Sequence, residues 1–372
     1  MKAGVYIHVP FCKSRCSYCD FATDVYRDSH VTERYIAALL REIEGFAYPN
    51  VEADTVYLGG GTPSLLTPEQ AGSVLNAVRA SLNVSANAEI TMEMNPATVS
   101  LETLRRYRAL GINRASFGVQ TFNDAALRML ARGHNAADAR ETFALLRRAG
   151  YENVSFDLIA GLPGQTIEDW RKNLDEAIAL RPEHLSLYLL EIHEGTPLAE
   201  QIRSRRRPMP DEDTAAKMYE IMIERLAAAG YEQYEISNFC LPGRESRHNT
   251  KYWLLEPVFG FGVSAHSFDG GERYCNERDT ARYVSMIESD NSPETMREKI
   301  DPAGESLFLG LRLNKGIDID DYEQRFGVNL CEKYKGDFDR LFDAGLLIIS
   351  NGRLMLTPKG RLFSNEVFQI FV

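Results

Sequence analysis

Long apolar runs are missing from this chain. No stretch approaches the roughly 18 consecutive apolar residues that a membrane-spanning helix needs, so no span is expected. Cysteine is scarce, six in 372 residues, too few for a disulfide scaffold. Positive charge does not dominate either. Lysine and arginine total 42 against 53 aspartates and glutamates, a formal net charge of −11. That balance argues against nucleic-acid binding, although a local basic patch is compatible with it. Internal repeats and low-complexity segments are absent, and Met1-Lys2-Ala3-Gly4 leads into a strand-like run broken by Pro10 rather than a signal-peptide core. With free thiols in a reducing compartment, a cytoplasmic protein is expected, and peripheral membrane contact is not excluded. The length suffices for one barrel-sized domain and a smaller one.

The few cysteines are concentrated. Cys12, Cys16 and Cys19 fall within eight residues, in Tyr6-Ile-His-Val-Pro-Phe-Cys-Lys-Ser-Arg-Cys-Ser-Tyr-Cys-Asp20. One short loop with this spacing can wrap a single metal centre. Thiolates are the usual ligands of iron–sulfur clusters, and three of them leave one iron of a 4Fe–4S cube open to a chelating small molecule. Spacing alone leaves two rivals: zinc, with His8 or His30 as fourth ligand, and a disulfide pair with a spare thiol. Cys240, Cys275 and Cys331 are scattered and read as packing or incidental thiols, Cys275 also as a weak axial-ligand candidate.

Strand-like and helix-like runs alternate from Gly4 to Ala229. Thr67-Pro68-Glu69-Gln70 reads as a capping box opening a helix, and Thr166-Ile-Glu-Asp169 as another helix start. Six such units predict an α/β fold with a parallel sheet covered on both faces. An incomplete (β/α)6 barrel and an open doubly wound sheet both satisfy that pattern. From Glu232 to Phe268, Gly, Pro and aromatic residues predict no helix. The tail predicts two helices over 318–326 and 334–341. A hairpin around Asn351-Gly352 follows, making a small winged-helix-like α+β domain. The expected divisions are residues 1–230 for the barrel, 231–292 for an extension and linker, and 293–372 for the C-terminal domain.

Chemistry-bearing residues sit where such folds place their sites, after strands. The cysteine loop follows the first predicted strand and Gly59-Gly60-Gly61-Thr62-Pro63 the second. Glu93, Asn95, Gln120 and Asp157 close or approach the ends of later ones. Together, Cys-x3-Cys-x2-Cys and the glycine run resemble the radical S-adenosylmethionine (SAM) superfamily. Within it, Tyr6-Ile-His-Val-Pro-Phe-Cys resembles the oxygen-independent coproporphyrinogen III oxidase group, the HemN-like proteins, and most resembles the heme-chaperone branch, HemW. The likeness spans nearly the whole chain and implies the TIM-like incomplete barrel. It implies a 4Fe–4S cluster on Cys12, Cys16 and Cys19, with Tyr6 beside it. It implies SAM held at its methionyl end by Gly60, Gly61 and Thr62 and surrounded by Glu93, Gln120, Arg132 and Asp157, with Arg132 able to meet the SAM carboxylate. No catalytic residue is assigned. Phe11, Tyr18 and Phe21 are expected to shield the cluster.

Two departures separate the chain from the oxidases. Their fourth cysteine, two places after the third, is here Phe21, and only eleven residues precede Cys12 where they carry a longer extension. Porphyrinogen decarboxylation is therefore not expected, while SAM cleavage is. Arg247-His248-Asn249-Thr250-Lys251-Tyr252-Trp253 resembles the His-Asn-x-x-Tyr-Trp signature of the heme-chaperone branch. It suggests His248 as a heme ligand, with His193 and His266 as alternatives and hydrogen-bonded packing as the bland reading. Arg203, Arg205, Arg206 and Arg207 form a basic patch that reads first as a solvated face. The resemblance implies heme as ligand and apo-hemoproteins, such as respiratory membrane enzymes, as partners. It also raises homodimerisation and transient membrane contact. An actual oxidase and another radical SAM enzyme of unknown substrate are the alternatives.

Overall fold

Alternating apolar and polar residues in the first strand already dictate a two-sided sheet. In β1 (Lys2–Val9), Ala3, Val5, Ile7 and Val9 are buried in the main core, while Gly4, Tyr6 and His8 share the other face. The computed structural model describes residues 1–25, 28–46, 48 and 50–371. After β1 come α1 (Ser29–Glu44), β2 (Glu52–Gly60), α2 (Pro68–Ser81), β3 (Asn83–Met94) and α3 (Leu101–Ala109). Then follow β4 (Arg114–Gln120), α4 (Ala136–Arg148), β5 (Val154–Ala160), α5 (Ile167–Leu180), β6 (His184–Leu189) and α6 (Glu212–Ala228). The six strands pair in parallel and in sequence order.

Local signals set the helix starts. Thr67 and Gln70 exchange the reciprocal bonds of a capping box, as do Thr166 and Asp169. Trp170 on α5 is fully buried and donates its indole N–H to Met218 O at 3.0 Å, locking α5 to α6.

The sheet runs on past the six units at both edges. Asn238–Cys240 adds antiparallel to β6. Between them and the tail lies a helix that the breaker pattern does not predict, α7 (Arg247–Trp253). Ser246 caps it by accepting from Asn249 N, and Gly243 and Pro257 flank it rather than interrupt it. β7 (Val258–Phe261) then pairs in parallel with the free side of β1. Three antiparallel strands, His266–Phe268, Glu272–Asn276 and Glu294–Lys299, extend that edge. The two outer edges are not bonded to each other among the described residues, so the barrel is incomplete.

A second, separate core forms under α8 (Pro302–Arg312), with Leu307, Leu311, Tyr322, Phe338, Leu354 and Val367 buried in it. Helices Ile319–Phe326 and Lys335–Asp343 and the hairpin Leu347–Ser350 with Arg353–Leu356 surround it. Asn351 and Gly352 have φ of 50° and 75°, the pair of left-handed residues that a type I′ turn requires. Two short helices, Pro358–Leu362 and Ser364–Phe368, follow the hairpin. No helix among the described residues is long and apolar enough to cross a membrane.

Candidate functional site

The cysteine loop leaves the C-terminal end of β1 and is tied down along its length. His8 reaches Ala22 O through Nε2 at 2.9 Å, while its Nδ1 faces the Tyr6 hydroxyl at 3.0 Å. With a carbonyl on Nε2, that nitrogen carries the proton and Tyr6 donates to Nδ1. Ser17 N donates to Leu130 O at 2.9 Å, and Leu198 N to Ser17 O at 2.8 Å. Arg278 reaches Asp20 O at 2.9 Å. Tyr6, placed beside the cluster by resemblance, thus touches the loop through His8.

The glycine run passes directly beneath. Gly60 has φ of +111° and donates its N–H to Glu93 Oε2 at 3.0 Å. A Cβ on Gly61 would lie 2.6 Å from Pro10 O and 2.8 Å from Phe11 O, so only glycine permits this approach of two backbones. Thr62 is buried and donates its hydroxyl to Cys12 Sγ at 3.5 Å. Asn95 Nδ2 donates to Thr62 Oγ1 at 2.7 Å, and Arg132 Nη2 to Asn95 Oδ1 at 2.8 Å. Arg132 Nη1 closes the circuit on Cys16 Sγ at 3.3 Å. Two of the three thiols are therefore linked through Thr62, Asn95 and Arg132. Asn95, a strand-end candidate from the sequence that the resemblance leaves out of its SAM set, is the link between Thr62 and Arg132. Gln120 closes β4 with φ of +65°, and its amide lies over Gly118, whose carbonyl accepts from Arg132 at 2.7 Å.

None of the three thiols is in a disulfide, and all three are half-buried. Burial pushes the Cys12 thiol up to about 11, opposed by the Thr62 hydroxyl and reinforced by Cys16 and Cys19. A metal binding there would have to displace that proton. Among the described residues no three His, Cys, Asp or Glu side chains are drawn round one point to hold a single ion. Both nitrogens of His8 are engaged, so it offers zinc no fourth ligand. A cluster that takes one thiol on each of three irons suits this donor set better. Arg132 Nε is buried without a hydrogen-bond partner among the described residues, which fits a carboxylate acceptor brought by a ligand. Of the three shielding residues, Phe11 is buried and Tyr18 half-buried, but Phe21 is 67% exposed. At that exposure Phe21 does not supply the shielding expected of it.

Below the loop, the inner sheet face is polar. Tyr57 donates its hydroxyl to Glu93 Oε1 at 2.7 Å. Burial pushes Glu93 up to about 7, with the Tyr57 bond opposing and the Asp157 charge adding. Asp157 rises to about 6, again through burial, with Ser186 opposing. A carboxyl whose folded pKa is raised keeps a proton that the unfolded chain has released. Its contribution to stability therefore falls as pH climbs from about 4.5 to about 7. Replacing Glu93 by Gln should flatten that decline in metal-free protein, by at most roughly 3 kcal/mol. Melting temperatures of both proteins between pH 5 and 7 provide the check. Parallel profiles would mean Glu93 is ionised throughout.

The His248 ring stacks on Tyr57, and among the described residues it makes no hydrogen bond to the cysteine loop. It is 1% exposed, with Nδ1 facing Thr55 Oγ1 at 2.9 Å and Nε2 facing the Tyr252 hydroxyl at 3.2 Å. In this placement neither nitrogen is offered to an iron. His193 and His266 are exposed, and Cys275 is half-buried. In the basic patch, Arg203 pairs with Glu200, and the three other arginines are exposed.

Residues 6–177 match the radical SAM superfamily, and residues 298–363 the HemN C-terminal domain. The chain is 36% identical to the heme chaperone HemW of Bacillus subtilis (strain 168), over 99% of each. It is 33% identical to heme chaperone HemW of Escherichia coli (strain K12), over 99% of this chain and 98% of that one. A mitochondrial mouse protein, radical S-adenosyl methionine domain-containing protein 1, is 35% identical over 87% of this chain and 76% of its own. Among solved structures, coproporphyrinogen III oxidase (HemN) from Escherichia coli superposes with a TM-score of 0.88 at 25% identity. That match covers 100% of this chain and 90% of the oxidase.

Proposed function

Since the chain belongs to the HemW family of the radical SAM superfamily, we propose that it is a heme chaperone. It binds heme and passes it to apo-hemoproteins such as respiratory enzymes. The observation that carries this is the end-to-end likeness to heme chaperones, set beside Phe21 where the oxidases have a fourth cysteine. Residues 1–230 are taken as the barrel and 231–292 as its extension, and the start of the C-terminal domain moves from 293 to beyond Lys299, because the strand Glu294–Lys299 belongs to the large sheet.

Cys12, Cys16 and Cys19 hold the 4Fe–4S cluster. When bound, cluster and SAM together supply reductive cleavage of a carbon–sulfur bond, the chemistry of the superfamily. The chain's own groups aim it. Gly60 and Gly61 bring backbone close enough to bind the methionyl end, Thr62 steadies the loop, and Arg132 meets the carboxylate through its unpartnered Nε. Glu93, Gln120 and Asp157 supply polar contacts on the sheet side, where the two raised carboxyls keep net charge low. Cleavage of SAM accompanies heme handling, and coproporphyrinogen is not a substrate. The recipients lie at the cytoplasmic side of a respiratory membrane, reached by peripheral contact, and a homodimer is the assembly to look for.

Heme titration of cluster-loaded protein, followed by absorbance, tests the proposal. Saturable binding with a discrete spectrum and no turnover of coproporphyrinogen is expected. Turnover without a specific heme spectrum would favour an oxidase.

A further inference from the structure

The signature segment sits at the far mouth of the barrel from the cysteines. α7 packs on the N-terminal half of β2, and the backbone N–H of His248 donates to Glu89 on β3 at 3.1 Å. Its ring enters the barrel interior and stacks on Tyr57, with centroids 5.1 Å apart and planes 26° apart. Tyr6 completes a triangular cluster of three rings, 6.2 Å from Tyr57 and 6.5 Å from His248. Gly4 makes room for this: a Cβ there would meet Thr55 Oγ1 at 3.0 Å and His248 Cε1 at 3.2 Å. Lys251 pins the helix from below, its buried ammonium 2.8 Å from both Asp54 and Glu256. Trp253 lies under the Arg312 guanidinium at 4.3 Å, and Arg312 pairs with the buried Glu235 at 3.3 Å, fastening the helix to α8.

We propose that α7 is a plug closing the N-terminal mouth of the barrel, and that His248 is a positioning residue for Glu93, acting through Tyr57, rather than a ligand of heme iron. The path is short. Thr55 and Tyr252 fix the imidazole, the imidazole fixes the Tyr57 ring from beneath, and the Tyr57 hydroxyl holds one oxygen of Glu93. The other oxygen holds Gly60 N, at the start of the glycine run. A truncated His248 leaves Tyr57 free to drop into the void, and Glu93 loses the donor that orients it. The inference rests on the reading that SAM lies beside Glu93.

The experiment compares wild type, His248→Ala, His248→Phe, Tyr57→Phe and the double variant His248→Ala with Tyr57→Phe, all cluster-loaded. SAM dissociation constants and heme titrations are measured on each. His248→Ala should weaken SAM binding about fivefold, the size of a one-kcal/mol coupling through a neighbour. His248→Phe, which keeps the stack but cannot ligate iron, should restore most of it. Tyr57→Phe should cost about as much as His248→Ala, and the double variant no more than either single one. All variants should keep the wild-type heme spectrum. Loss of that spectrum in both His248 variants, unchanged SAM affinity in His248→Ala, or additive effects in the double variant would overturn the inference. Wild type that binds no SAM would overturn the SAM reading with it, whereas indifferent variants of a SAM-binding wild type sink this inference alone.

Discussion

Replacing any one of Cys12, Cys16 or Cys19 by alanine is expected to strip the chain of its iron. Anaerobically reconstituted wild type should carry about four iron and four sulfide per chain, and each single variant less than about one. The reason is the scarcity of donors. Both nitrogens of His8 are taken, and Asn95 and Arg132 offer the cluster no thiolate. The other free thiols belong to other elements: Cys240 is buried on the strand beside β6, Cys275 lies beyond β7, and Cys331 is in the C-terminal domain. Nothing stands ready to replace a lost ligand. The metal-free fold should tolerate the changes, because the loop is also held by Ser17, His8 and Asp20. Melting of metal-free variants should therefore track wild type, and Cys275→Ala and Cys331→Ala should keep full iron. Variants that retain four irons, or a wild type that takes up zinc alone, would remove the basis of the functional reading.

How much of this could be read in advance depends on the range of the forces involved. The cysteine loop, the glycine run and the caps at Thr67 and Thr166 are local, carried by a few residues whose side chains act on their own backbone. They appear where the spacing puts them, as does the type I′ turn at Asn351-Gly352. The alternation of strand and helix gives the order of β1 to β6, since adjacent parallel strands joined by helices leave few topologies. The antiparallel strands at both edges are different. Asn238–Cys240 and His266–Phe268 are three residues each, too short for a period to declare itself, and partners far away in sequence decide them.

The site shows the same division. Cys12, Gly61 and Thr62 converge because they follow adjacent strands. Asn95 became visible as a hub only once β3 brought it between Thr62 and Arg132. His248 shows the opposite case. A histidine among aromatic residues suggests a heme ligand, yet tertiary packing carries that helix under the barrel, and burial lowers the imidazole pKa to about 3. Composition could not reveal this, because the surface that α7 covers is made by Gly4, Thr55 and Glu89, more than 150 residues earlier.

Arg132→Met is expected to be the most damaging single change to the framework around the thiols. The guanidinium donates to Gly118 O, Asn95 Oδ1 and Cys16 Sγ at once, from a half-buried position. Methionine fills similar space and donates nothing. The buried Gly118 oxygen and the half-buried Asn95 oxygen then lose their donor, at up to about 1–3 kcal/mol each. In metal-free protein this should lower the melting temperature by roughly 5 °C, since a chain of this size moves only a few degrees per kcal/mol. SAM affinity of the cluster-loaded variant should fall more than about tenfold, because the unpartnered Nε proposed to meet the SAM carboxylate is lost as well. Lysine separates the two effects. It keeps the charge but not the planar fork, so Arg132→Lys can satisfy one acceptor and not three. It should recover part of the melting temperature and little of the SAM affinity. If lysine restored binding fully, a positive charge alone would suffice there, and the bridge from Cys12 through Thr62 and Asn95 to Cys16 would be incidental to the site.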